Sequence, residues 1–157
     1  MNAFSKKAVL FLVTGAGAGY VPRFPGTAGT LVAIPFSLAL NRLAVSHFAL
    51  GALIVVGSIF CAVWLSTKGS EILKQKDPQI IVIDEIVGFL VANFLAPLRW
   101  TALLWSLLLF RFFDIAKVFP TNKLEELPGG AGIVLDDVMA GVYTFIILQL
   151  VLKIGWA

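Results

Sequence analysis

The stretch LAVSHFALGALIVVGSIFCAVWLST, residues 43–67, contains no formally charged residue. The hydrocarbon core of a bilayer is about 30 Å thick, and an α-helix needs about 20 predominantly apolar residues to cross it. This run has twenty-five residues, so it is predicted to cross a membrane as one helix.

The composition favours the same class of protein. Hydrophobic residues make up 59% of the 157 residues and charged residues 13%, with a mean hydropathy of +0.96. Soluble domains are roughly half apolar and about a quarter charged. We therefore predict an all-α, polytopic integral membrane helical bundle with four to five transmembrane helices, formed by a single domain over residues 1–157. The lipid bilayer is its expected environment, and no nucleic-acid partner is expected.

Four further apolar runs have interruptions or ends that can be read from the sequence. Pro35 interrupts the first, and Asn41-Arg42 close it. Arg99-Trp100 and Lys153 with Trp156 are typical of residues that anchor helix ends at the membrane interface. The predicted runs cover residues 27–40, 80–98, 100–119 and 138–152.

The first twenty residues contain a shorter apolar segment. Residues 8–13 follow Lys6-Lys7 but are fewer than the roughly 7–15 apolar residues of a secretory leader. We expect this segment to remain in the protein, either at the interface or as a first short helix. Whether residues 8–20 cross the membrane is left open by the sequence.

Alternating these runs through a bilayer brings the polar motifs to one side. Nine of the twelve Lys and Arg residues fall on that side, and Arg42, Arg99 and Lys153 fall on the other. If residues 8–20 cross the membrane, Lys6 and Lys7 change sides and the count becomes seven to five. Cytoplasmic loops are enriched in Lys and Arg. The motif side is therefore predicted to be cytoplasmic.

Acidic residues border three of the apolar runs. Asp84-Glu85 and Asp136-Asp137 each open a predicted helix, and Asp114 lies near the end of another. For either pair alone, helix capping is an even alternative, because carboxylates suit helix N-termini. Together, five carboxylates on one side of a membrane predict a metal site. Oxygen ligands without a His or Cys cluster favour Mg²⁺ or Mn²⁺ over zinc.

Basic residues lie on the same side as these acids. Arg111, Asp114 and Lys117 recur every three residues and form a stripe on one helix. Guanidinium and ammonium groups suit a phosphate ester, although an internally paired stripe is the alternative. Residues 25–30, PGTAGT, lead into an apolar helix whose N–H groups could face an anion. A simple turn and cap is the favoured interpretation of that segment alone.

Several catalytic mechanisms find no support in the sequence. Cys61 lacks the arginine spacing of a cysteine phosphatase, and there is no Asp-x-Asp for an aspartyl-phosphate mechanism. His47 is predicted on the opposite side of the membrane and cannot act as the nucleophile. The remaining mechanism is direct attack by water with the help of a metal ion.

Four blocks of the sequence resemble one known family. They are PGTAGTL at residues 25–31, DEIVGF at 84–89, FRFFDIAK at 110–117 and GGAGIVLDDVMAG at 129–141. In this order they are similar to the signature blocks of phosphatidylglycerophosphatase A. The resemblance implies a Mg²⁺-dependent phosphatase of the bacterial inner membrane that converts phosphatidylglycerophosphate to phosphatidylglycerol and phosphate. Val118 departs from the proline usual after the lysine.

Each candidate residue has a predicted role. Asp84, Glu85 and Asp137 are the predicted catalytic residues, with Glu85 or Asp137 as the general base. Glu71 and Asp77 are expected to lie outside the site. A membrane ion or metal transporter, or a non-catalytic membrane subunit, is the alternative. The predicted Mg²⁺ ligands are Asp84, Glu85, Asp114, Asp136 and Asp137, and the predicted substrate-binding residues are Arg23, Thr27, Thr30, Arg111 and Lys117.

Overall fold

A computed structural model describes residues 2–155, and these residues form helices joined by turns, with no strand among them. Trp156, predicted as an interfacial anchor, lies outside the described residues. A single 3-10 turn, Ala18–Tyr20, lies between the first two α-helices. The α-helices are α1 (Ala3–Val13), α2 (Pro25–Ser46), α3 (Phe48–Leu73), α4 (Ile83–Ala92), α5 (Trp100–Ala116), α6 (Thr121–Leu124) and α7 (Gly130–Lys153).

Three helices, α2, α3 and α7, are long and apolar enough to cross a membrane. The 17 residues of α5 extend about 25 Å at 1.5 Å per residue, slightly less than a bilayer core. The 11 residues of α1 and the 10 residues of α4 are too short to cross. The all-helical membrane fold is confirmed, whereas the predicted count of four to five spans is only approximately supported.

The first two long helices meet at a different residue from the predicted one. We expected the first span to end at Asn41-Arg42, but α2 continues through Pro35 and Asn41 to Ser46. Asn41 is buried inside the bundle, where its amide donates to the carbonyl of Asn93 at 2.7 Å. A polar residue therefore lies in the helix as a tertiary contact, and the chain turns at His47 instead.

The predicted run 80–98 is not one helix, because α4 ends at Ala92. Asn93 then enters a buried polar network, accepting from the hydroxyl of Ser106 at 2.7 Å and donating to Ser37. The Asn41 side chain accepts the N–H of Leu95 at 2.9 Å. These bonds satisfy the backbone and side-chain groups that an interrupted helix leaves free inside the bundle.

Four residues rich in glycine, 129–132, are in sequence typical of a flexible loop, but the structure places three of them in a helix. α7 begins at Gly130, whose N–H donates to the hydroxyl of Thr67 on α3 at 2.9 Å. A Cβ on Gly130 would collide with the backbone of α3 at Val63. Glycine therefore fixes the start of α7 against α3.

Short α4 packs at the centre of the bundle, against α2, α3, α5 and α7. Phe89 on α4 and Phe110 on α5 are both fully buried, with ring centroids 5.9 Å apart in an edge-on arrangement. Ala33 of α2 and Ala140 of α7 complete this core. The first turn of α4 is thereby held between the ends of the longer helices.

Candidate metal and phosphate site

A polar cavity of about 310 Å³ lies where α2 and α4 begin and α5 ends. It is lined by residues from these three helices, from α7 and from the segment 77–81. Six acidic and three basic side chains line it, so its formal charge is negative. The acids are Asp77, Asp84, Glu85, Asp114, Asp136 and Asp137, and the bases are Arg23, Arg111 and Lys117.

Three of the acids converge closely. One carboxylate oxygen each from Asp84, Glu85 and Asp137 lies within 4.8 Å of the other two. Asp84 and Asp137 are 9% and 4% exposed. Such a group of buried oxygens is the kind of ligand set that a divalent cation requires.

The crossing of α4 and α7 explains this convergence. Gly88 and Gly141 follow Asp84 and Asp137 by one helical turn each. A Cβ on Gly88 would lie 2.7 Å from the carbonyl oxygen of Asp137, and one on Gly141 would collide with the carbonyl of Gly88. Small residues let two helix backbones approach closely. The two glycines therefore bring the two carboxylates together.

The two acidic pairs lie at different positions in their helices. Asp84 and Glu85 lie in the first turn of α4, as predicted, although the N-cap residue is Val82. Asp136 and Asp137 do not open their helix, because α7 starts six residues before Asp136. Capping can therefore not explain the second pair.

Several carboxylate oxygens in this cavity lack a hydrogen-bond partner among the described residues. They are buried oxygens of Asp84, Glu85 and Asp136. Burying a charged oxygen without a partner is costly, and a coordinated cation removes that cost. With the excess of acids over bases, these oxygens fit a divalent metal ion.

Asp114 and Asp136 border the group of three and are each paired with a basic residue. Arg111 Nη1 lies 2.7 Å from Asp114 Oδ2, one turn along α5. Lys117 Nζ lies 3.5 Å from Asp136 Oδ2. Asp114 also lies beside Asp137. Arg111 and Asp114 are therefore paired within α5, which is the alternative that the sequence left open. Both residues also line the cavity.

Lys117 has a second acidic partner that the sequence did not indicate. Its ammonium nitrogen lies 2.8 Å from Glu125 Oε2, just after α6. Partial burial alone would lower the pKa of Lys117, but Glu125 and Asp136 together raise it above its ordinary value. The ammonium is therefore charged at the rim of the cavity.

The segment before α2 contributes Arg23, whose backbone is left-handed with φ of 72°. This conformation is unfavourable for an L-residue by about 1–2 kcal/mol, and Arg23 lines the cavity. Thr27 and Thr30 are not among the lining residues. Thr30 is fully buried, and its hydroxyl donates to the carbonyl of Gly26 at 2.9 Å.

Asp77, Gln79 and Glu125 are the functional candidates that the sequence interpretation missed. Asp77 was expected to lie outside the site but lines the cavity together with Gln79. Both are exposed and lie in the segment between α3 and α4. Only their proximity to Asp84 in the sequence could have indicated this position. Glu71 lies outside the lining and pairs with Lys68 at 2.8 Å.

A larger cavity of about 570 Å³ lies among α1, α2, α3 and α4. Its lining is almost wholly apolar and includes Cys61 and Ser58. No acidic or basic residue lines it. The chemistry of the chain is therefore concentrated in the smaller, polar cavity.

Comparison with known proteins places most of the chain in one family. Residues 11–152 match the family model described as Phosphatidylglycerophosphatase A. A protein of Haemophilus influenzae named "Phosphatidylglycerophosphatase A" is 36% identical over 144 residues, 87% of this chain and 84% of the relative. A protein of Escherichia coli K12 with the same name is 32% identical over 142 residues, 89% of this chain and 81% of the relative.

A third relative has a different name. A Bacteroides thetaiotaomicron protein named "Putative phosphatidylinositol-3-phosphatase" is 39% identical over 140 residues, 86% of this chain and 87% of the relative. No solved structure matches this chain significantly.

Proposed function

Because this chain belongs to the phosphatidylglycerophosphatase A family, we propose that it hydrolyses phosphatidylglycerophosphate in a Mg²⁺-dependent reaction. The products are phosphatidylglycerol and inorganic phosphate, so the enzyme serves phospholipid biosynthesis. The observation that carries the proposal is the approach of the Asp84, Glu85 and Asp137 carboxylates to within 4.8 Å of one another. Basic side chains line the same cavity.

The acids of the cavity would hold the cation. Asp84, Glu85 and Asp137 provide the central oxygens, with Asp114 and Asp136 beside them. When bound, Mg²⁺ supplies Lewis-acid polarisation of a phosphoryl oxygen and lowers the pKa of a water ligand. Magnesium prefers oxygen ligands and commonly binds through carboxylates together with substrate phosphates.

The remaining residues act on the phosphate and the proton. In hydrolysis the water oxygen bonds to phosphorus, the ester P–O bond breaks, and the lipid glycerol leaves as an alcohol after taking a proton. Glu85 or Asp137 accepts the proton of the attacking water. Arg23, Arg111 and Lys117 bind the phosphoryl oxygens and offset their charge. Thr27 and Thr30 do not line the cavity. They act on the phosphate only indirectly, by holding the start of α2 in place.

The location of the enzyme is part of the proposal. We place it in the bacterial inner membrane as a multi-pass protein whose active site faces the cytoplasm. The support is the distribution of basic residues, nine on the motif side against Arg42, Arg99 and Lys153 on the other. The acyl chains of the substrate would remain in the lipid while its headgroup reaches the polar cavity.

A second substrate is favoured by one relative. The Bacteroides protein is named for phosphatidylinositol 3-phosphate hydrolysis and is 39% identical to this chain. Both lipids present a phosphate monoester on a membrane headgroup. We propose phosphatidylglycerophosphate as the principal substrate and treat phosphatidylinositol 3-phosphate as the competing one.

The test is phosphate release by the purified full chain in neutral detergent. Phosphatidylglycerophosphate, phosphatidylinositol 3-phosphate, phosphatidic acid and a soluble phosphate ester are supplied in turn with Mg²⁺. The proposal expects the highest kcat/KM on phosphatidylglycerophosphate. Faster turnover of phosphatidylinositol 3-phosphate would replace the proposed substrate, and release from none of the lipids would overturn the proposed activity.

A further inference from the structure

A small cleft of about 200 Å³ lies at the end of the bundle away from the acidic cavity. It is formed by α2 and by the start of α5. Arg42 lies sixteen residues after Gly26, and Arg99 lies fifteen residues before Asp114. At 1.5 Å per residue, each arginine is therefore more than ~20 Å along the helix from the acidic cavity. The lining residues are Leu38, Arg42, Leu98, Arg99, Trp100 and Leu103.

The two arginines of this cleft have no acidic partner. Neither forms an ion pair within residues 2–155, and no acidic residue lines the cleft. The sequence explains why. Every Asp and Glu lies between residues 71 and 85 or between 114 and 137, at the motif end of the helices. Among residues 2–155, the chain therefore supplies two guanidinium groups at this end without an Asp or Glu side chain to neutralise them.

The other lining groups indicate what kind of anion fits. Trp100 is 86% exposed and Leu98 is 49% exposed, and tryptophan is enriched at the level of lipid headgroups. Leu38 and Leu103 give the cleft apolar walls. A ligand here should combine an anion with an apolar part.

We propose that this cleft binds the phosphate of an anionic phospholipid from the leaflet opposite the acidic cavity. Two guanidinium groups can each bind phosphate oxygens through a planar pair of N–H donors. The N-terminus of α5 adds a favourable dipole. Its N-cap residue Arg99 makes no side-chain capping hydrogen bond, so no capping side chain competes for the first N–H groups. Basic pockets between membrane helices bind lipid headgroups by the same chemistry.

The inference does not depend on the proposed reaction, because the cleft is remote from the acidic cavity. Its role is to stabilise the folded bundle in an anionic membrane. A ligand that binds only the folded state raises the free energy of unfolding by mass action. Binding can therefore be measured by thermal stability without any turnover.

The experiment compares thermal unfolding of the purified full chain in neutral detergent with three added ligands. These are short-chain phosphatidylglycerol, short-chain phosphatidylcholine and glycerol 3-phosphate. We expect phosphatidylglycerol to raise Tm at concentrations about tenfold lower than phosphatidylcholine. Glycerol 3-phosphate, which has no acyl chain, should raise it least. Equal effects of phosphatidylglycerol and phosphatidylcholine would overturn the charge-specific site.

Substitutions of the two arginines test whether the lipid binds in this cleft. Arg42→Gln with Arg99→Gln should weaken the phosphatidylglycerol response by about tenfold or more, the loss expected when charge-assisted hydrogen bonds are removed. Arg42→Lys with Arg99→Lys should keep part of it. Lys153→Gln, a matched loss of charge at the same end, should leave it unchanged. An equal loss with Lys153→Gln would mean a diffuse charge effect and would contradict a site.

A last variant separates the cleft from the acidic cavity. Arg111→Gln removes a cation from the cavity and should retain the lipid response. If Arg111→Gln abolishes the response while the Arg42 and Arg99 variants keep it, the lipid binds in the acidic cavity and the proposal is wrong. The Arg42 and Arg99 variants should also retain phosphate release in neutral detergent.

Discussion

Gly26, in the first turn of α2, lies against the carboxylate of Glu85, in the first turn of α4. A Cβ at residue 26 would overlap Glu85 Oε1 and would lie 3.0 Å from Arg111 Nη1. The glycine thus leaves room for an acid and a base at the start of a helix. From the sequence, a simple turn and cap is the favoured interpretation of residues 25–30, with an anion facing the helix start as the other one. In the structure a carboxylate of the protein lies beside this helix start.

We expect Gly26→Ala to lower phosphate release by about tenfold or more, because the new methyl group displaces Glu85 from the converging carboxylates. Gly57→Ala is the matched control. Gly57 is also helical, and a Cβ there meets nothing within 4 Å, so full activity should remain. Equal activity of the two variants would show that the position of Glu85 is not critical.

Neutralising acids that line the cavity should have a larger effect. Asp84→Asn, Asp137→Asn and Asp114→Asn are each expected to reduce kcat by about a hundredfold or more, the scale of losing a metal ligand or general base. Glu71→Gln is the control, since Glu71 forms an exposed pair with Lys68 worth little. Similar losses in all four variants would point to misfolding, and no loss in the first three would exclude them from the reaction.

The pairing of Lys117 with Glu125 predicts opposite effects of two substitutions. Lys117→Gln should raise KM by about tenfold, the loss of one charge-assisted hydrogen bond to phosphate. Glu125→Gln should lower KM, because it removes a carboxylate 2.8 Å from the ammonium that competes with phosphate. Steady-state kinetics measures both. If both substitutions raise KM alike, the pair stabilises the loop after α5 and does not bind substrate.

Sidedness can be tested with single cysteines in a Cys61→Ala background. Glu126 and Ser46 are exposed positions at opposite ends of the bundle. Cysteine at residue 126 should be shielded from an impermeant thiol reagent in intact bacterial cells and should react in inverted vesicles. Cysteine at residue 46 should behave in the opposite way. Labelling of residue 126 from outside would invert the proposed topology.

The sequence predicts well that the protein is an all-helical membrane bundle and that its acidic residues meet in one place. Both follow from hydrophobicity and from the cost of burying charge. Helix ends were harder. Asn41 looks like a terminating residue but lies inside a helix, because its partner is 52 positions away in sequence. Asn93 lies within a predicted run, yet α4 ends just before it. The glycines at 88 and 141 gave no local signal of their crossing. The role of each glycine depends on the backbone of the helix that it contacts, which is distant in sequence.

The members of the site divide in the same way. Asp84 and Asp137 could be predicted, since adjacent acids at an apolar run are unusual. Asp77 and Glu125 could not, because they lie in polar connecting segments where acids are common. Thr30 lies in a segment whose composition suits a phosphate-binding loop. Its hydroxyl, however, donates to the carbonyl of Gly26 within α2.

We propose that Asp84, Glu85 and Asp137 hold a divalent cation required for hydrolysis. The most direct measurement is phosphate release from phosphatidylglycerophosphate by the purified protein before chelation, after excess EDTA, and after addition of Mg²⁺. We predict that EDTA abolishes release and that Mg²⁺ restores it in the native protein but not in Asp137→Asn. Full activity in the presence of excess EDTA would show that hydrolysis requires no such cation.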